Sequence, residues 1–281
     1  MLVTMNDILL PAKREGYGVG FFNAINVEMA RAVIGAAQEL NAPVIVGTAE
    51  VLLPAMELQY VADYLIPMAR RATVPVCVHY DHGLTFERCM QALRMGFTSV
   101  MYDCSTVGYE QNTEQVARMV EICHAMGVTV EGELGHVGDN EGDGKLENPS
   151  DYYTDPDMAA DYVRRTGVDA LAVAVGNAHG DYKFPPKLDF ERIETIAEKT
   201  GVPLVLHGGS GLADDDFKMA VQKGICKVNI FTDVDKAGKV GIEAGIAAGA
   251  GSMQSLIPYE VEAIKKAAIE KIRLFGSENR A

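Results

Sequence analysis

Eight short apolar runs, separated by amphipathic stretches, recur along the chain, and this alternation limits its fold more than any other feature. The runs read as strands at about 17–25, 42–48, 74–80, 99–104, 128–135, 170–176, 203–209 and 226–232. Segments between them, such as VEMARAVIGAAQEL, FERCMQALRMG and DMAADYVRRTG, have helical periodicity, and several end in the glycine expected just past a helix C-terminus. Strands alternating with helices predict a parallel sheet joined by helical crossovers. Eight such units predict an α/β fold, a closed (β/α)8 TIM barrel. No composition break marks a linker, so residues 1–281 are expected to form a single barrel domain. After the eighth run, GKVGIEAGIAAGAGSM is too glycine-rich for a strongly stable isolated helix. YEVEAIKKAAIEKIRLFG is amphipathic and predicts an additional C-terminal helix, packed on the barrel or on a neighbouring subunit. The Gly-, Asp- and Asn-rich stretch at 136–158 reads as a long irregular loop of the kind that covers active sites.

At 281 residues and 48% hydrophobic content the chain can bury a substantial core. A formal net charge of −14 argues against nonspecific binding to nucleic acid or to an anionic membrane, since both need clustered positive charge. An anionic substrate must therefore be held by local groups. The five cysteines are odd in number and lack CxxC spacing, and the N-terminus lacks the apolar core of a signal peptide. A reducing, cytoplasmic setting is the expectation, with no membrane span.

Three of the six histidines, His82, His179 and His207, stand at the downstream ends of apolar runs. If the strands run parallel, those ends converge, and three neutral imidazoles with one open position make a divalent metal site competent for catalysis. The polar residues expected at the same barrel mouth are Asn23, Asp81, His82, Asp103, Glu133, His179, His207 and Asn229. Strand alternation would turn Asp81 away from its neighbour His82, leaving the carboxylate to move a proton near the metal. For Asp103 and Glu133 a structural salt bridge is the competing reading. The HGGSG segment at 207–211 and VNIFTD at 228–233 follow the seventh and eighth runs, where barrel enzymes often bind phosphate. Ser210 and Thr232 add hydroxyl donors, and the glycines admit an anion close to backbone N–H groups. His79 and His124 read as structural, the methionines as core filler, and Lys183 as either a phosphate contact or a solvated loop charge.

These motifs resemble the class II, metal-dependent ketose-bisphosphate aldolases, the fructose-1,6-bisphosphate and tagatose-1,6-bisphosphate aldolase family. The resemblance runs from FFNAINVE to the C-terminus and rests on YDHG at 80–83, SVMYDCS at 99–105, VEGELG at 130–135, DALAVAVGNAHGDYK at 169–183, LVLHGGSG at 204–211 and GICKVNIFTD at 224–233. It implies that His82, His179 and His207 bind a catalytic Zn²⁺ and that Asp81 is the acid/base at the C4 oxygen. Asp103 and Glu133 match an alternative or second metal position, and a monovalent cation accompanies the site. Gly180, Gly208, Gly209, Ser210, Asn229 and Thr232 match residues that bind dihydroxyacetone phosphate, with Asn23 near its reacting carbons. Glu141 matches by spacing the residue that exchanges the C3 proton. The implied partners are a small phosphorylated sugar and further copies of the chain, as a homodimer or homotetramer.

Departures from the family pattern bear on the aldehyde half of the substrate. Gly47 and Ala49 stand where a glutamine and a serine are common, Thr106 replaces a histidine, and His136 occupies a loop position that is often basic or apolar. Fructose-1,6-bisphosphate is the default substrate, with tagatose-1,6-bisphosphate or another ketose 1-phosphate as the alternative. Cobalt or manganese compete with zinc, because nitrogen donors accept several ions. A barrel metallohydrolase is disfavoured by the lack of an HxH pair in the first strand. A noncatalytic sugar-phosphate binding protein is disfavoured by the presence of Asp81 with all three candidate ligands.

Overall fold

The computed structural model describes residues 1–135, 153–177, 187–209 and 211–281. A two-residue strand β1 (Leu2–Val3) and helix α1 (Met5–Glu15) precede the first βα unit. The units that follow are β2 (Val19–Asn23) with α2 (Val27–Glu39), β3 (Val44–Ala49) with α3 (Leu58–Arg71), β4 (Val76–Gly83) with α4 (Phe86–Met95), and β5 (Ser99–Tyr102) with α5 (Tyr109–Ala125). The second half continues with β6 (Thr129–Leu134) and α6 (Pro156–Thr166), β7 (Ala170–Val173) and α7 (Phe190–Thr200), β8 (Leu204–Leu206) and α8 (Asp214–Gln222), and β9 (Ile225–Ile230) and α9 (Thr232–Ala247). A last helix, α10 (Met253–Phe275), closes the chain.

All pairings are parallel, and β2 through β9 pair in succession, with β9 returning to β2. The sheet is therefore a closed eight-stranded barrel ringed by helices, with α10 added, as the alternation of the sequence predicts. Alternate residues divide between two cores. Outward-facing Val44, Val46, Val76, Val78, Val100, Val130, Leu171 and Leu206 pack against the helices. Inward-facing Phe21, Ile45, Cys77, Ala170, Ala172 and Val205 fill the lower barrel, where Met5, Ile8, Leu9 and Ala12 of α1 join them as a plug. Full burial of Met5, Ile8 and Leu9 contributes about 1.5–3 kcal/mol each.

The structure departs from the sequence reading at four places. Neither β1 nor α1 is predicted by the pattern. The glycine-rich segment after the eighth strand is helical, and α9 is the eighth barrel helix. Its glycines face α10: a Cβ on Gly241 would stand 2.4 Å from the carbonyl oxygen of Tyr259, and one on Gly245 would stand 2.9 Å from Leu256. Close helix packing supplies the stability that the composition lacks in isolation. Helix α10, predicted from residue 259, begins earlier, at Met253, capped by Ser252, whose hydroxyl accepts from the Ser255 N–H. Finally, the predicted irregular stretch 136–158 ends early, since Asp155 caps α6 and Pro156 opens it; residues 136–152 lie outside the described residues. Among the described residues, no helix is long and apolar enough to cross a membrane.

Candidate metal centre and active site

The upper barrel is polar where the lower barrel is apolar. On β4, inward positions carry His79 and Asp81; on β6, Glu131 and Glu133; on β9, Lys227 and Asn229; and His207 follows β8. His79, Glu131, Lys227 and His207 are all 0% exposed, and Asp81 and Glu133 are 2% exposed. Charges buried this deeply persist only when paired.

His82 follows Asp81 directly, yet both side chains reach the same centre: His82 Nε2 lies 4.0 Å from Asp81 Oδ2. Regular alternation would separate them. The register between β4 and β5 shifts between Tyr80 and Gly83, and His82 adopts φ +43°, in the left-handed region. Such a conformation costs a non-glycine residue about 1–2 kcal/mol, and strain of this kind collects at functional sites. The bulge corrects the expectation that the two side chains diverge.

The two described histidines of the predicted triad meet. His207 Nδ1 and His82 Nε2 are 2.8 Å apart with their rings edge to face. Each ring's other nitrogen is held by a carboxylate: His82 Nδ1 donates to Asp103 Oδ2 at 2.8 Å, and His207 Nε2 donates to Glu131 Oε1 at 2.8 Å. A carboxylate behind each imidazole is the usual support of a metal-ligating histidine. A tetrahedral ion bound by both rings needs a nitrogen separation of roughly 3.3 Å, given Zn–N bonds of about 2.0–2.1 Å, so a widening of a few tenths of an ångström admits it. The donor set therefore fits a divalent ion. Ligand atoms of Asp81, His82 and His207 lie within 4.8 Å of one another, as do those of His82, Asp103 and Glu133, and those of His79, Asp81 and Glu131.

Electrostatics sets the protonation states. Burial disfavours the charged form of Asp81, but the His82 charge, the His79 hydrogen bond and the Lys227 charge outweigh it and hold the carboxyl well below its usual range. Glu131 is likewise opposed by burial and pulled down to about 2 by Lys227 and the His207 hydrogen bond. Burial also works against the imidazolium of His82, yet Asp81 and the bond to Asp103 push its pKa up to about 10. His79 moves the other way, lowered by burial and by Lys227, and is neutral.

Around this centre, Asn229 Nδ2 approaches both oxygens of Asp81 at 3.4 Å. Among the described residues, the Oδ1 atoms of Asn23 and Asn229 are buried without a hydrogen-bond partner. Asn23 is paired with Gly47 on β3, and a Cβ on Gly47 would lie 1.8 Å from the carbonyl oxygen of His79, so packing alone requires glycine there. Ala49 is registered beside Asp81. Gly208 has φ +64°, and Gly209 donates its N–H to the Asn229 carbonyl at 3.2 Å. Thr232 is the first residue of α9, whose N-terminus has no side-chain cap among the described residues. His179, Gly180, Glu141 and Ser210, as well as His136 and Lys183, lie outside the described residues.

Sequence reasoning passed over Glu131, Lys227 and Ser99, and left His79 outside the site. His79 Nδ1 bonds Ser99 Oγ at 2.8 Å, and its Nε2 lies 3.5 Å from Asp81. The signal was available in the motifs VEGELG and CKVNIF, where a Glu and a Lys interrupt apolar strands at inward positions. His124, by contrast, is half-exposed and donates to Asp169, which also accepts from the Val130 N–H at 2.7 Å.

Comparison with known proteins bears on the family and the fold. The family model described as fructose-bisphosphate aldolase class-II matches residues 3–280. A protein of Staphylococcus epidermidis (strain RP62A) named fructose-bisphosphate aldolase is 39% identical over 285 residues, which cover 100% of this chain and 99% of that one. A Staphylococcus aureus (strain N315) protein of the same name is 39% identical over 288 residues, with the same coverage. The crystal structure of the YdjI aldolase from Escherichia coli K12 superposes with a TM-score of 0.91 at 37% identity, over 100% of both chains. With its barrel, its carboxylate-backed histidines and a match along nearly its whole length, the chain belongs to the class II fructose-bisphosphate aldolases, a family of metal-dependent lyases.

Proposed function

We propose that the protein is a zinc-dependent aldolase that reversibly cleaves a ketose 1-phosphate or 1,6-bisphosphate between C3 and C4, releasing dihydroxyacetone phosphate and an aldehyde. Fructose-1,6-bisphosphate is the default substrate. The observation that carries this reading is the 2.8 Å approach of His82 Nε2 to His207 Nδ1, with Asp81 ionised beside them. His82, His207 and His179 would hold the ion. Bound there, Zn²⁺ supplies Lewis-acid polarisation of the ketose carbonyl and stabilises the negative charge that develops on its oxygen.

Asp81 takes the proton of the C4 hydroxyl as the C3–C4 bond breaks, and returns it in the condensation direction. Its carboxylate suits this task because neighbouring positive charge keeps it ionised and Asn229 steadies both oxygens. Glu141 is assigned delivery of the proton to C3. Asp103 and Glu133, grouped with His82, are the residues for an alternative or second ion position. The phosphate is assigned to Gly180, Gly208, Gly209, Ser210 and Thr232, with Asn23 near the reacting carbons. Support comes from the N-terminus of α9 at Thr232, which no side chain caps among the described residues and where backbone N–H groups and the helix dipole attract an anion. In a chain of net charge −14, such a local device is needed.

The test is to incubate zinc-loaded protein with a panel of ketose 1-phosphates and 1,6-bisphosphates and to assay released dihydroxyacetone phosphate. Release is expected from at least one member and is expected to stop on chelation. Trapping of substrate on a lysine by borohydride would overturn the mechanism.

A further inference from the structure

We propose that Glu131, braced by Lys227, is the positioning residue that presents His207 Nδ1 to the metal. The proposal rests on the metal reading above and extends it to the residues behind one of the proposed ligands. Glu131 and Lys227 sit on β6 and β9 with no exposed surface, and they act through the side chains they touch. The two oxygens of Glu131 divide the work. Oε1 accepts from His207 Nε2 at 2.8 Å, and Oε2 lies 2.8 Å from Lys227 Nζ.

An ionised carboxylate can only accept hydrogen bonds. His207 must therefore carry its hydrogen on Nε2, which leaves the Nδ1 lone pair aimed at the space it shares with His82. In the other tautomer the Nδ1 hydrogen would point into that space and exclude a cation. Lys227 fixes the carboxylate in turn. Its ammonium lies over the Phe21 ring at 4.5 Å and 4.0 Å from Asp81, so Glu131 is held from one side by the ammonium and from the other by the imidazole. The row Lys227, Glu131, His207 thus sets one ligand's orientation from within the barrel, as Asp103 does for His82 from the rim.

Removing one member of a buried ion pair strands the other, so single variants confuse positioning with folding. The double variant Glu131→Gln/Lys227→Met leaves the net charge of the interior unchanged and is nearly isosteric, but its amide can either accept from or donate to His207 and no longer selects a tautomer. Zn²⁺ affinity would be measured on metal-stripped protein by competition with a chromophoric chelator at one fixed pH, alongside the melting temperature of the stripped protein. The expected result is a melting temperature close to that of the wild type with Zn²⁺ binding about 10–100-fold weaker, the usual effect of losing a ligand's supporting partner. A folded double variant that binds Zn²⁺ within twofold of the wild type overturns the proposal. Nitrogen-15 NMR of the stripped wild type supplies a test that does not depend on the variant folding. It should show His207 protonated at Nε2 and bare at Nδ1, and the reverse assignment overturns the proposal. A wild-type chain that takes up no Zn²⁺ would instead overturn the metal reading, a result distinct from any difference between wild type and variant.

Discussion

Adjacent residues of a strand face opposite ways, and the pair Asp81 and His82 escapes that rule through one left-handed residue and a one-step shift in register. The bulge brings the proposed base and a proposed metal ligand to the same centre from consecutive positions. The roles proposed for the two differ, and mutation separates them. Asp81→Asn preserves size and removes the base, so kcat should fall by about 10²–10⁴-fold, the usual contribution of a positioned acid or base. Zn²⁺ affinity should change only a few-fold in the same variant. Steady-state kinetics beside a metal titration checks this; a raised KM with kcat intact would assign Asp81 to binding instead. The residue scale also explains one departure from the family pattern. Gly47 is dictated by the close approach of the His79 carbonyl, so its lack of a side chain need not reflect the substrate.

Among the elements, α9 shows how packing overrides propensity. Glycine inside a helix costs about 0.5–1 kcal/mol relative to alanine, and α9 carries buried Gly238, Gly241 and Gly245. They recur on the side that meets α10, and the contact they permit outweighs their intrinsic cost. The same substitution should therefore change sign with location. Gly35 in α2 has open space where a Cβ would go, and Gly35→Ala should stabilise by about 0.5–1 kcal/mol. Gly241→Ala would drive a Cβ against the Tyr259 carbonyl and should destabilise by about 1–3 kcal/mol. Denaturant melts of both variants test the pair, and equal shifts of the same sign would refute the packing argument. Helix α1 illustrates the opposite limit of legibility. Its buried face, Met5, Ile8, Leu9 and Ala12, has helical spacing, and Thr4 and Asp7 cap each other reciprocally. An internal Pro11 and the lack of a preceding strand-length apolar run hide the helix in a reading organised around βα units.

For the whole molecule, barrel closure gathers the proposed ligands from separate strands, so bound metal should act as a cross-link of the folded state. At a free Zn²⁺ concentration 100 times the dissociation constant, the native state should gain about 2.7 kcal/mol, seen as a rise in melting temperature that a chelator reverses. A melting temperature indifferent to Zn²⁺ would contradict the site. The five cysteines are all buried in the same fold, and burial pushes Cys77 and Cys123 up to about 12 and Cys104 and Cys226 up to about 11. Native protein at pH 8 should therefore resist a thiol-selective disulfide reagent that titrates all five after unfolding; rapid native labelling would show that the barrel opens. The eight βα units, the parallel barrel and the shared barrel mouth of Asp81, His82 and His207 were legible in the linear chain, because strand alternation and the shared direction of parallel strands are local rules that propagate. Lys227 against Glu131, the turn of His82 toward Asp81 and the α1 plug were not, because each depends on which residues of distant strands share a level in the closed barrel. That level is set by register and bulges, which fix pairwise distances only after the sheet has closed on itself.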